Sequence, residues 1–75
     1  MTHRIVAEIV GNVLTVVAHE GTKVLAGDTI VIIESMKMEI PVLTEYDGIV
    51  SDIAVHAGDV VQEGDVLAVV EPVAG

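Results

Sequence analysis

Seventy-five residues with no cysteine and a formal net charge of −9 leave room for one domain and exclude disulfides and thiolate metal sites. Twelve acids stand against three Lys and Arg residues, and Tyr46 is the sole Phe, Trp or Tyr. That balance speaks against nucleic acid, whose phosphates need clustered cations and whose unpaired bases need aromatic platforms.

Hydrophobic residues make up 52% of the chain, so the core must be aliphatic, and its β-branched majority suits a pleated sheet better than a helix. In chain order, a first strand is predicted over 4–9, a turn at Gly11-Asn12 and a second strand over 13–18. A turn-rich connection over 19–28 holds the short apolar pair Val24 and Leu25, and a third strand covers 29–34. The second half reads the same way: a strand over 38–43, a turn at Asp47-Gly48, a strand over 49–55, a connection over 56–65 and a strand over 66–71. No stretch shows an apolar period of 3.6. Short strands with regular turn signals predict an all-β sandwich or barrel.

The two halves are copies. A shift of 37 residues brings Glu8, Gly11, Val13, His19, Gly21, Val24, Gly27, Asp28 and Glu34 onto Glu45, Gly48, Val50, His56, Gly58, Val61, Gly64, Asp65 and Glu71. Ile30 with Leu67, Ile32 with Val69 and Val16 with Ile53 are conservative pairs. Gly21, Gly27, Gly58 and Gly64 fall where tight turns require positive φ. Each half is therefore read as one structural unit, and the apolar faces of two units stack around a common core. The expected fold is a flattened barrel or sandwich of two four-stranded antiparallel sheets with internal pseudo-two-fold symmetry. Lys37 lies at the junction of the units and corresponds to Ala74, which predicts that the lysine and the chain ends sit at opposite poles.

Lys37 is one of two lysines and lies in Glu34-Ser35-Met36-Lys37-Met38-Glu39-Ile40. A compact amine on a flexible stem is the usual residue for covalent carriage. Between Ile30 and Leu43 there is no Gly or Asn, so local propensity does not ask for a turn at Lys37, yet the repeat requires one. Two-residue hairpins favour positive φ and hence Asn-Gly, so Met36-Lys37 at a tip implies local strain of the kind stored at functional sites. Flanking an exposed tip, Met36 and Met38 would form a soft apolar patch, with Glu34 and Glu39 on either side.

The run ESMKMEI resembles the attachment signature of the biotinyl/lipoyl domain family, and the resemblance extends over the whole chain, including Gly48, Gly58-Asp59 and Gly64-Asp65. In that family a lysine between two methionines carries biotin, whereas a lipoyl lysine usually follows Asp and precedes Ala. Ser35 stands where the biotinyl pattern usually has Ala. The resemblance implies a barrel-sandwich hybrid fold, with residues 1–75 as a single biotinyl-attachment domain. It implies biotin covalently held on Lys37, with Met36 and Met38 as flanking recognition residues and Glu34 and Ser35 as weaker ones. The implied partners are biotin protein ligase, a biotin carboxylase and a carboxyltransferase, between which the arm carries carboxylate. The chain would be a carrier and substrate of the ligase, without catalytic residues of its own. A lipoyl carrier, or an unmodified acidic interaction module, are the alternatives.

Other signals are weak. His3, His19 and His56 lack ligand spacing on any one element, and the repeat predicts that His19 and His56 lie in separate, distant loops. No zinc-protease, P-loop, nucleophile-elbow or dinucleotide motif occurs. The first ten residues, MTHRIVAEIV, lack the apolar core and cleavage site of a secretion signal. A cytoplasmic location is the expectation.

Overall fold

The computed structural model describes residues 2–73. They form strands β1 (His3–Val6), β2 (Gly11–Val16), β3 (Lys23–Val24), β4 (Thr29–Ser35), β5 (Met38–Leu43), β6 (Gly48–Ile53), β7 (Val60–Val61) and β8 (Val66–Glu71). Two four-stranded antiparallel sheets result, sheet 1 in the order β1-β8-β6-β3 and sheet 2 in the order β5-β4-β2-β7. The 37-residue shift turns one order into the other, and it also carries over every strand register. His3 opposite Val70 becomes Ile40 opposite Ile33, and Lys23 opposite Ile49 becomes Val60 opposite Asn12. Even the bulges correspond, one between Val13 and Thr15 and its counterpart between Val50 and Asp52. The all-β, pseudo-symmetric sandwich expected from the repeat is the fold observed.

The halves do not each build a sheet, however. β3 leaves the first half to pair with β6 of the second, and β7 returns the exchange by pairing with β2. The Gly21 N–H donates to the Val50 carbonyl at 2.8 Å, and the Gly58 N–H to the Val13 carbonyl at 2.8 Å. The apolar pair predicted at Val24 and Leu25 is thus a strand at Lys23–Val24, while Leu25 turns outward.

Five boundaries differ from the expectation for steric or hydrogen-bonding reasons. β1 stops at Val6, because Ala7 bonds to Asp65 and Gly64 of the opposite half and the chain then bends at Glu8 and Ile9. β2 and β6 likewise end two residues early; the Val17 and Ala18 N–H groups both turn to the Ile30 carbonyl. Gly11 and Gly48, expected in turns, begin strands instead. A Cβ on Gly11 would lie 2.6 Å from both the Glu34 carbonyl oxygen and Ile33 Cγ2, and one on Gly48 would press on the Glu71 carbonyl. These two glycines serve close approach of backbones, not turn geometry.

Ile30, Ile33, Leu67, Val13, Val31, Val50, Val61 and Val70 are fully buried. Six of them form repeat pairs, Val13 with Val50, Ile30 with Leu67 and Ile33 with Val70, so much of one shape is packed twice around the pseudo-two-fold axis. Ile30 and Val31 are buried in succession because β4 is irregular between Thr29 and Val31, which interrupts the in–out alternation. Ala7 is buried, and so is its repeat counterpart Thr44, whose hydroxyl donates to the Tyr46 carbonyl and accepts from the Tyr46 N–H.

The described part is elongated, 41 × 17 × 17 Å. β4 and β5 run together to one pole, where Ser35 faces Met38. At the other, Glu71 faces Ile49 beside the Gly48–Val24 pair, and His3 stacks on Tyr46 with ring centroids 3.6 Å apart. His3 and Glu71 therefore stand at the pole away from Lys37; Ala74, its repeat counterpart, lies outside the described residues.

Gly58 has φ 96° and open space where a Cβ would go, whereas Gly48 has ordinary φ and no space. Gly58→Val should destabilise by more than about 1 kcal/mol through backbone strain alone. Gly48→Ala should cost about 1–3 kcal/mol through overpacking against β8. Chemical denaturation of both variants beside the parent checks the pair; an unchanged Gly48→Ala would contradict the close approach of β8 to Gly48.

Candidate functional site

The junction between the halves is a hairpin in which Ser35 pairs with Met38, leaving Met36 and Lys37 as a two-residue loop. Met36 has φ 53° and Lys37 φ 64°, and they are the positive-φ residues other than glycine. Two successive left-handed residues give the twist that a two-residue hairpin needs to follow its strands. Neither residue supplies this conformation cheaply. Side chains bearing a Cβ are strained there by about 1–3 kcal/mol each.

The strained turn places side chains where the core cannot use them. Met36 is 88% exposed and Met38 60%, so neither fills a gap in the interior. Lys37 stands exposed between them and makes no salt bridge among the described residues. Below the tip, Glu34 and Glu39 face each other across β4 and β5, both exposed. Like charges directly opposite are unfavourable in a sheet, so this pair adds acidic potential beneath the amine at some expense of stability.

Ser35 plays a different part from its neighbours. It is buried, and its hydroxyl donates to the Val10 carbonyl at 2.8 Å. It therefore ties the hairpin base to the bend before β2 and keeps its polar atom away from the solvent-facing tip. An alanine in this place would leave the Val10 carbonyl without that donor. The sequence shows Ser35 in the motif, but nothing local reveals the partner 25 residues earlier.

Asn12, opposite both Glu34 and Val60, brings β2 and β7 to the same level of the sheet. Val10 and Val60 thus join the exposed apolar side chains near the lysine. The reading of the motif alone passed over them, since only the cross-half pairing of β7 brings Val60 to this pole.

The histidines require a correction. His19 and His56, expected in distant loops, line one groove together with Glu20, Val16 and Ile53. The exchange of short strands folds both connections onto the same opening of the pseudo-two-fold axis. Among the described residues no group of three His, Cys, Asp or Glu side chains is placed to hold a metal ion. Each connection is closed by its own turn bonds: the His56 N–H donates to Asp59 Oδ2 at 2.8 Å and the His19 N–H to Thr22 Oγ1 at 3.3 Å. His3 is at the far pole, stacked on Tyr46. A second groove of about 500 Å³ opens between β1 and β5 and is lined by Arg4, Pro41 and Tyr46 among others, but not by Lys37.

An exposed primary amine at the apex of a rigid hairpin suits covalent attachment of an acyl group as an amide. Residues 4–70 match the model of the Biotin_lipoyl family, described as "Biotin-requiring enzyme". The chain belongs to this family. It is 60% identical over 43 residues to the "Biotinylated protein TB7.3 homolog" of Mycolicibacterium smegmatis, covering 57% of this chain and 61% of that one. The Mycobacterium leprae protein of the same description is 53% identical over 53 residues, 71% of this chain and 75% of that one. The crystal structure of Kluyveromyces lactis urea carboxylase superposes with a TM-score of 0.90 at 37% identity, over 95% of this chain and 6% of the carboxylase. The fold is thus one that also occurs as a small part of a much longer carboxylase chain.

The strain at the tip has a measurable consequence. Replacing Met36 with Asn and Lys37 with Gly supplies the residues that the turn prefers and should raise stability by about 1–2 kcal/mol. Urea denaturation of the unmodified double variant against the unmodified parent measures it. Equal or lower stability would show that the left-handed pair is relaxed as it stands.

Proposed function

We propose that Lys37 is the residue through which this biotin carrier domain holds its biotin, and that the attached arm moves carboxylate between two active sites of a biotin-dependent carboxylase. The observation that supports this most directly is the two-residue left-handed turn, which raises one unpaired amine above the fold within a family defined by biotin and lipoyl attachment. Met36 and Met38 present an apolar surface on either side of that amine, suited to recognition by a modifying enzyme.

Biotin protein ligase activates biotin with ATP: the biotin carboxylate attacks the α-phosphorus, the α–β phosphoanhydride bond breaks, pyrophosphate leaves and biotinyl-AMP, a mixed anhydride, forms. Lys37 Nζ attacks the acyl carbon, the amide C–N bond forms, the acyl–phosphate bond breaks and AMP leaves. The amine must be deprotonated when it attacks, which the ligase arranges by desolvation or a general base. Once attached, biotin supplies the carboxylate-carrying chemistry, and the protein supplies position. The long rigid body sets Lys37 at the pole away from His3 and Glu71, so the tip can enter an active site while the opposite end stays outside. A cytoplasmic location, where ATP is at hand to activate biotin, goes with this reading, as do biotin carboxylase and carboxyltransferase as partners.

Lys37→Arg keeps the charge and removes the acylatable amine. Co-expressed with biotin protein ligase, the parent should gain the mass of one biotinyl group on the Lys37 peptide, and Lys37→Arg should gain none while melting at the parental temperature. A lipoyl increment at Lys37, or an unmodified parent, would overturn the assignment; biotin persisting on the variant would move the site to Lys23.

A further inference from the structure

The repeat provides an internal control. Each residue of the first half occupies the same backbone setting as the residue 37 positions later, with the same strand partners. Whatever folding demands should appear on both sheets. Exposed chemistry present on one sheet alone answers a different demand.

The outer faces differ in this way. Across sheet 2, below the tip, a row of exposed residues runs Glu39, Glu34, Asn12, Val60. Their counterparts on sheet 1 are Thr2, Glu71, Ile49 and Lys23. One level further from the tip, Pro41, Ile32 and the bulged Leu14 correspond to Arg4, Val69 and Ser51. Sheet 1 thus bears Arg4 and Lys23, both chain cations other than Lys37. Sheet 2 has no cation in its strands, and on this face it exposes Leu14 and Val60 by 42% and 69%.

We infer that the outer face of sheet 2 is the surface on which the enzyme that acylates Lys37 docks, and that this enzyme meets it with an apolar centre and a basic rim. The inference rests on the reading of Lys37 as the attachment site. Leu14 and Val60 lie on the sheet that carries the tip, and the Glu34–Glu39 pair supplies the charge that a basic rim would complement. A second copy of the chain is disfavoured as the occupant, since stacking this face on itself would bring those carboxylates onto their own kind in a chain of net charge −9.

The symmetry also supplies the test, because each substitution takes the residue that the same backbone position already accepts on the other sheet. Val60→Lys with Leu14→Ser makes sheet 2 resemble sheet 1; Lys23→Val with Ser51→Leu does the reverse. Steady-state biotinylation by biotin protein ligase is measured on both double variants and the parent, with circular dichroism melts as a check on folding. The sheet 2 variant should show a KM raised at least about tenfold with kcat within about twofold, and the sheet 1 variant should stay within about twofold in both. Docking on sheet 2 is overturned if its variant keeps the parental KM, or if the sheet 1 variant loses as much. It is also overturned if sedimentation shows that the parent is a dimer which Val60→Lys dissociates. Biotin failing to appear on Lys37 of the parent would instead remove the Lys37 reading, and this inference with it. Should Val60→Lys with Leu14→Ser fail to fold, Glu34→Gln with Glu39→Gln tests the same face. Its KM should rise and lose most of its dependence on NaCl; an unchanged salt dependence would refute the basic rim.

Discussion

Four strands cross between the halves of this protein and hold them together: β1 pairs with β8, β5 with β4, and the two-residue strands β3 and β7 with β6 and β2. Lys23–Val24 and Val60–Val61 each cross to the opposite half and pair there with the start of a longer strand, at Gly48 and Gly11. Those glycines carry no Cβ, which lets the carbonyls of Glu71 and Glu34 close on them from β8 and β4, on the side away from the crossing strand. With the halves exchanged in this way, neither can bury its Val and Ile side chains alone. A chain of this size buries a modest share of its surface, and packing one aliphatic shape twice about a pseudo-axis gives it a continuous core without an aromatic residue or a disulfide.

The exchange also explains why the lysine hairpin is rigid enough to carry strain. β4 and β5 reach the tip with six paired positions between them, and β4 is held on its other side by β2. Ser35 pins the hairpin base to Val10. Two left-handed residues that no local interaction favours are thus imposed from below by the sheet. What the turn loses in conformational energy is offset by the strands that it joins, and the outcome is an amine presented at a constant place and angle. For a carrier whose chemistry belongs to its cofactor, position is the protein's main contribution.

Charge is distributed with the same economy. Three cations occur in the chain; one is the lysine of the tip and the other two stand on sheet 1. Sheet 2, the sheet that contains the hairpin, presents carboxylates and aliphatic side chains. The asymmetry arises on a backbone that is otherwise duplicated down to its bulges, so the strand geometry does not require it. It separates the two faces of a nearly symmetric body and gives a partner the means to tell them apart.

The sequence by itself determined a good deal. Alternating aliphatic residues between turn signals marked six strands, the recurring H-x-G-x-x-V-x-x-G-D frame marked two equivalent halves, and positive φ was legible at Gly58 and its fellows. The ESMKMEI run pointed to Lys37 because it is a lone amine in an acidic, methionine-flanked setting. Tertiary structure alone decided the rest. A two-residue strand has too little pattern to be recognised locally, so the exchange of β3 and β7 was hidden, and with it the meeting of His19 and His56 at one groove. Gly11 and Gly48 read as turns because glycine's two uses, unusual φ and close approach, look alike in a sequence. The buried bond from Ser35 to Val10, and the place of Val60 beside the lysine pole, depend on partners far along the chain. Periodicity and turn chemistry act over a few residues; which strand crosses to which neighbour is settled by how the whole core closes.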